Sequence, residues 1–304
     1  MKKNVLIIGF GSIGRKHAKI LNSFKEISNI YILSKQRSKK FKVIKNYNEA
    51  KKLKLDYIII SSRTSDHLKH LYFVEKNFKR KIILVEKPLF ENLKKFKPKN
   101  NKVMIGYNLR YHPVLEHVRK YINKKKVLSA YIYCQSYLPD WRKKFNYKNS
   151  NSAKKIYGGG ALLELSHELD YLQWIFRSSL KINYALINKI SSLKVNVEDN
   201  VVLVGKINKT NFSINLNFYS FLPRRKIIIN GINFSLEADL FKNNIIINEP
   251  NSKKIRKFKI DNLYTYKMQH KHLLRNKSSV SCTYNEGIKL LSIIDKIKRN
   301  KQHA

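Results

Sequence analysis

Only two cysteines occur in 304 residues, Cys134 and Cys282. They cannot build a disulfide framework, and their separation matches no metal-ligand spacing, so neither a stapled secreted scaffold nor a metal is expected. Long hydrophobic runs are missing as well. Wholly apolar stretches such as Tyr57–Ile60 fall far short of the roughly 20 residues that span a bilayer. With 10 glycines and 6 prolines, a collagen-like or low-complexity chain is excluded. Met1-Lys2-Lys3 leads straight into an apolar, strand-like segment, with no charged-then-apolar leader. A reducing cytoplasm is therefore the expected compartment.

Acidic residues are the other scarcity: 20 against 63 Lys and Arg, a formal charge of +43. Such a field attracts polyanions and raises the question of a nucleic-acid or membrane-surface function. The make-up of the excess argues against it. The cations are 50 Lys and 13 Arg, scattered along the chain, with 124–126 the longest lysine run. Lys, Asn and Ile are served by A/T-rich codons, whereas Arg, the planar reader of phosphates and bases, is what such a base bias suppresses. Compositional drift is the preferred explanation. No specific nucleic acid and no membrane is expected as a partner, only salt-sensitive adhesion to polyanions.

What the chain does have is a 43% hydrophobic content, enough for a sizeable core, and a length that fits two domains at roughly 150 residues each. The first hundred residues alternate short apolar runs (4–9, 29–34, 56–62, 81–88, 102–108) with helical stretches. That alternation predicts an α/β fold with a parallel, doubly wound sheet. Between 182 and 260 come closely spaced β-rich runs with polar turns, which predict a large, mostly antiparallel open sheet. Two helices, near 265–277 and 284–299, close the chain. The expected division is a dinucleotide-binding Rossmann domain over 1–115 and an α+β domain for substrate binding and oligomerisation over 116–304.

Gly9-Phe10-Gly11-Ser12-Ile13-Gly14 is a GxGxxG that ends an apolar strand and opens an amphipathic helix, the context in which this pattern binds a dinucleotide. The first glycine permits the turn, the second lets backbone approach a pyrophosphate, and the third packs helix on strand. Gly9, Gly11, Ser12, Ile13 and Gly14 are thus cofactor candidates. About 20 residues on, an acid would hold the ribose 2′-hydroxyl of NAD. Here the strand ends in Leu33-Ser34-Lys35-Gln36-Arg37, without one. Ser34 and Arg37 suit the 2′-phosphate of NADP, which is the expected preference over NAD.

Lys87 follows a buried-type strand in Val85-Glu86-Lys87-Pro88, at the carboxyl end where ligands bind in parallel sheets. There it can donate to a substrate oxygen. Further on, Gly158-Gly159-Gly160 precedes Glu164, His167 and Asp170, which fall at i, i+3 and i+6 on one helix face. A histidine so placed can take the proton of an alcohol as its hydride leaves. The segment HELDY imitates a zinc motif but has Tyr171 where the second histidine belongs, so that reading fails.

Four segments in this order, GFGSIG, EKP at 86–88, GYNLRYHP at 106–113 and GGGALLELSHELDY at 158–171, resemble the glucose–fructose oxidoreductase/inositol dehydrogenase/MocA (Gfo/Idh/MocA) family. The wording around 165–176 is similar to a branch associated with surface-sugar and nonulosonic-acid pathways. The resemblance implies reversible NAD(P)-dependent oxidation of a sugar, sugar-acid or nucleotide-sugar hydroxyl. Lys87 is then the active-site lysine and His167 the acid/base. Asn108, Arg110, Trp141, Arg142 and Tyr157 are the implied substrate contacts, with Glu164 and Asp170 beside them. The loop with Ser62, Arg63 and His67 approaches the nicotinamide, together with Glu86 and Lys87. A homodimer or homotetramer through the C-terminal sheet is also implied. Many members carry an acid four places before the histidine. Here that place is Leu163, so either Glu164 or Asp170 orients His167. The alternatives are a catalytically silent dinucleotide-binding regulator of the same fold and, more remotely, a nucleic-acid-binding protein.

Overall fold

The structure, a computed structural model, describes residues 2–142, 145–277 and 279–299. The chain divides into two compact units, 1–108 with 263–291, and 109–262 with 292–304.

In the first unit, β1 (Lys3–Ile8), β2 (Ile27–Leu33), β3 (Lys42–Ile44), β4 (Tyr57–Ile60), β5 (Ile82–Val85) and β6 (Lys102–Ile105) form a parallel sheet. Its order is β6-β5-β4-β1-β2-β3, extended beyond β6 by a short antiparallel strand from the chain's end. All four residues of β4 are buried, as are the last four of β1. Strands covered on both faces need such unbroken apolar runs. α1 (Ser12–Leu21) buries Gly14, His17, Ala18, Ile20 and Leu21, a stripe at helical spacing. α2 (Tyr47–Lys51) is capped by Asn46, whose side chain accepts from Glu49 N–H. α3 (His67–Asn77) follows β4. The strand order reverses between β1 and β4, so the loops after both strands border the crevice where open α/β sheets bind ligands.

The second unit begins with α4 (Pro113–Tyr121), where Pro113 stands in the first turn and needs no N–H partner. β7 (Val127–Tyr137) follows, then α5 (Ala161–Glu164) and α6 (His167–Phe176). The remaining strands are β8 (Lys181–Asn188), β9 (Asn200–Ile207), β10 (Thr210–Asn217), β11 (Tyr219–Gly231), β12 (Phe234–Asp239), β13 (Asn244–Glu249) and β14 (Ser252–Lys257). Their sheet runs β14-β13-β12-β11-β7-β10-β9-β8. It is antiparallel except for β7 against β10, whose connection passes through α5, α6, β8 and β9. Ala130, Ile132 and Cys134 of β7 are buried while Tyr131 and Tyr133 between them are not, so one face carries the core. The edge strand β14 is exposed throughout and reads Ser-Lys-Lys-Ile-Arg-Lys, a charged edge that resists pairing with further strands.

α7 (Tyr264–Leu274), β15 (Cys282–Thr283) and α8 (Tyr284–Arg299) end the described chain. The expected division at 115/116 differs from the observed one. The chain crosses at 108/109 and then returns, because α7 packs on α1 and β15 pairs with β6. Leu273 and Leu274 join the core of Val5, Ile7, Ala18 and Tyr57. No helix among the described residues is long and apolar enough to cross a membrane.

Candidate functional site

The loop from β1 into α1 is shaped by its three glycines in different ways. Gly9 has φ +95°, and a Cβ there would stand 2.6 Å from Ser62 N. A Cβ on Gly14 would stand 2.2 Å from Gly9 O. Both positions are closed by the protein's own backbone. Gly11 differs: no atom lies within 4 Å of where its Cβ would be. It is also the N-cap of α1 and offers no side-chain acceptor to the first helical N–H groups. Ser12 is exposed and Ile13 half-buried at that first turn. An uncapped helix start beneath open space suits a diphosphate. Ser61 Oγ donates to Gly9 O at 3.0 Å, tying the β4 loop to the glycine turn.

Beyond β2, Ser34 is half-buried and Arg37 exposed. Ser34 Oγ accepts from Gln36 N–H at 3.1 Å. Arg15, which the sequence reading did not single out, donates to Gln36 Oε1 at 3.1 Å and lies over the Phe10 ring at 4.7 Å. A second guanidinium thus borders the 34–37 segment. Its only sequence signal was its place one residue after Gly14.

In the loop after β4, Arg63 is exposed and Ser62 half-buried. His67 is only 1% exposed. Its Nδ1 lies 3.0 Å from Pro88 O and 3.2 Å from Leu89 O, and its Nε2 lies 3.3 Å from Ser62 O. Burial pushes this imidazole below the usual histidine range, against the opposing pull of those carbonyls. His67 is therefore a buried tie between the β4 loop and the turn at Lys87-Pro88, rather than a side chain open to a ligand. Glu86 is buried as well. Its Oε1 meets His17 Nε2 at 3.0 Å, and its Oε2 accepts Lys87 N–H at 3.2 Å. Lys87 itself is half-buried. Asn108 is 4% exposed and donates to Thr265 Oγ1 of α7 at 2.7 Å, an internal tether.

In the second unit the helix expected after the glycine triplet is broken. α5 ends at Glu164, Leu165 leaves helical dihedrals at φ −98°, ψ 25°, and α6 starts at His167. Glu164, His167 and Asp170 therefore do not share one continuous helix face. Asp170 is instead held by Arg110: Nε to Oδ2 at 3.0 Å and a terminal nitrogen to Oδ1 at 2.7 Å. Both side chains are 3% exposed. This buried fork-on-carboxylate pair withdraws both residues from the surface that a substrate could reach. His167 and Glu164 remain half-buried.

The glycine triplet has an internal cause. A Cβ on Gly159 would lie 2.4 Å from Asn151 O, and one on Gly160, at φ +109°, would lie 2.3 Å from the Glu198 carboxylate. Glu198 caps α5, its Oε1 accepting Leu162 N–H at 3.2 Å. Nothing in its local sequence marked it. Trp141 is half-buried, donates to Ser136 Oγ at 2.8 Å and meets Phe218 edge-on. Arg142 is exposed beside it in a small cleft with Tyr147 and Ser150. Tyr157 is half-buried, with the Lys154 ammonium 5.9 Å over its ring. Among the described residues, no group of three or more His, Cys, Asp or Glu is placed to hold a metal ion.

Residues 3–105 match the model of the Gfo/Idh/MocA oxidoreductase family, described as an oxidoreductase family with an NAD-binding Rossmann fold. These residues are a Gfo/Idh/MocA-family Rossmann domain. Solved structures extend the likeness in fold to the whole chain. A UDP-N-acetylglucosamine 3-dehydrogenase (GnnA) from Acidithiobacillus ferrooxidans matches at TM-score 0.80 and 12% identity, covering 99% of this chain and 98% of its own. A levoglucosan dehydrogenase in complex with NADH matches at TM-score 0.84 and 15% identity, covering 98% and 96%. GenD2 from gentamicin A biosynthesis, in complex with NAD, matches at 0.80 and 15%, covering 98% and 93%. No curated protein matches. The fold of the whole chain is thus shared with structures that hold NADH or NAD.

Proposed function

We propose that this chain is an NAD(P)-dependent oxidoreductase that moves a hydride between nicotinamide and a hydroxyl or keto carbon of a sugar. The observation that carries the reading is the glycine loop. Its first and third glycines are closed by backbone, while Gly11 opens onto space in front of an uncapped helix start. Gly9, Gly11, Ser12, Ile13 and Gly14 would hold the diphosphate. Nicotinamide, when bound, supplies or accepts the hydride. Lys87, fixed at the mouth of β5, donates a hydrogen bond to the substrate oxygen. His167 moves the alcohol proton at Nε2, since its Nδ1 is buried. Both roles rest on the family likeness.

NADP is the preferred form in this reading. Ser34 and Arg37, with Arg15 beside them, offer a hydroxyl and two guanidinium groups to a 2′-phosphate where an acid would repel it. The similar structures act, by their names, on a nucleotide-linked amino sugar and on levoglucosan. A sugar, sugar acid or nucleotide-linked sugar of a surface-polysaccharide or nonulosonic-acid route is the corresponding substrate class here. Assembly as a homodimer or homotetramer would cover the outward face of the eight-stranded sheet, where Tyr131 and Val204 are exposed.

The test is turnover of NADP+ or NAD+ with a panel of neutral, carboxylated and nucleotide-linked sugars. Lys87→Ala and His167→Ala are expected to lower kcat by roughly 10²- to 10⁴-fold, with cofactor affinity intact in His167→Ala. A chain that binds dinucleotide but turns over no member of the panel would favour the regulator reading instead.

A further inference from the structure

Behind the Lys87 turn, the first unit contains a line of buried polar side chains. Glu86 Oε1 lies 3.0 Å from His17 Nε2, His17 Nδ1 lies 2.8 Å from His270 Nε2, and His270 Nδ1 lies 3.0 Å from Tyr57 Oη. His17, His270 and Tyr57 are 0% exposed and Glu86 is 7% exposed. They come from α1, α7, β4 and the turn after β5, so four separate segments converge to make the chain. Groups this buried are costly unless each is hydrogen-bonded.

The proton positions follow from the donor inventory. Both Glu86 oxygens accept, one from Lys87 N–H and one facing His17, so His17 carries its proton on Nε2. A neutral His17 then has a bare Nδ1, which takes the Nε2 proton of His270 in hydrogen bonding. That leaves His270 Nδ1 bare, and it accepts from the Tyr57 hydroxyl. Burial holds His270 well below the usual histidine range, which keeps it neutral as this scheme requires. Donation runs one way, from Tyr57 to Glu86. Protonating His17 would invert it, forcing the His270 proton from Nε2 to Nδ1.

We propose that His17, His270 and Tyr57 are positioning residues for Lys87: a one-way donor chain that holds Glu86 as a carboxylate against the Lys87 peptide. The chain's relevance to catalysis rests on the oxidoreductase reading, while the chain itself does not. The charged or titratable groups facing Glu86 are His17 from α1, His67 from α3 and Lys87 of its own turn, with His270 one step behind. The accepted N–H fixes the peptide from which the Lys87 side chain departs. Without its His17 donor, the buried Glu86 carboxylate loses the partner that orients it, and its hold on the Lys87 N–H weakens.

The experiment uses the full chain without cofactor. Two-dimensional ¹⁵N spectra of its histidines, assigned with His17→Gln and His270→Gln, are expected to show both rings neutral with the proton on Nε2 at pH 7.5. A His270 proton on Nδ1 would overturn the assignment. Amide hydrogen exchange, read from ¹H–¹⁵N spectra at pH 7.5, then follows the Lys87 N–H against the Lys102 N–H at the start of β6. Glu86→Gln, whose amide cannot accept from both donors, and His17→Leu are each expected to raise the Lys87 exchange rate by up to about tenfold, the effect of one hydrogen bond. His17→Gln, which keeps a donor toward Glu86, stays within about twofold of wild type, and the His17→Leu/Glu86→Gln double variant matches either single one. An unmoved Lys87 exchange rate in the isosteric Glu86→Gln variant sinks the proposal even if His17→Leu fails to fold. Shifted rates in a chain that binds no dinucleotide would instead sink the oxidoreductase reading and leave the donor chain standing.

Discussion

Removing the Asp170 carboxylate tests whether Arg110 and Asp170 hold the second unit together rather than meeting a substrate. Two hydrogen bonds of 3.0 and 2.7 Å join side chains that are each 3% exposed. Asp170→Asn leaves a guanidinium buried opposite a neutral amide that can accept through only one atom. Breaking a buried pair from one side costs about 3–5 kcal/mol, because the remaining charge is uncompensated. Replacing both partners at once, Arg110→Met with Asp170→Leu, removes both charges from the interior and is expected to cost less than either single change. Urea denaturation of wild type, Arg110→Met, Asp170→Leu and the double variant gives the coupling energy, expected at about 2 kcal/mol or more. Salt leaves it nearly unchanged, since buried pairs are poorly screened. A loss under about 1 kcal/mol in Asp170→Asn, or simple additivity, would refute the reasoning and return Arg110 to the substrate side.

Two further predictions follow from buried groups. His112 is held down to about 4 by burial, and His70 likewise to about 4, so the unfolded chain binds these protons first. Their contribution is intact above pH 6.5 and is lost as pH falls from 6.5 toward 4, by up to about 3 kcal/mol for His112 and less for the partly exposed His70. Urea midpoints that stay flat across that window would contradict this. Gly14→Ala, whose Cβ would meet Gly9 O at 2.2 Å, is expected to cost about 3 kcal/mol in the same assay, and a neutral result would mean the loop relaxes freely.

Much of this architecture was legible in the residues. Unbroken apolar runs such as Ile58-Ile59-Ile60 marked the parallel sheet, and GFGSIG between strand and helix marked the dinucleotide loop. Periodicity carries no information about long-range return, so the docking of α7 on α1 was hidden, and with it the His17–His270 contact across 253 residues. The helix break at Leu165 was likewise invisible, because Leu is a good helix former and the break lies in tertiary packing. Arg110 and Asp170 were visible as charges, but nothing local told that they would meet each other. The glycine triplet was visible in the residues, but its cause was not. What approaches there is Asn151 and Glu198 of the chain itself.

The account's central claim is the dinucleotide site at Gly11. Calorimetric titration of wild type and Gly11→Asp with NADPH and NADH at high salt tests it most directly, since salt suppresses nonspecific phosphate binding to a chain of charge +43. A Cβ added at Gly11 would have open space around it, so the variant is expected to fold with wild-type stability while placing a carboxylate where the diphosphate would lie. Saturable binding in wild type, tighter for NADPH and abolished in Gly11→Asp, is the predicted result. Wild type that binds neither cofactor, or a variant that binds as well as wild type, would contradict the account.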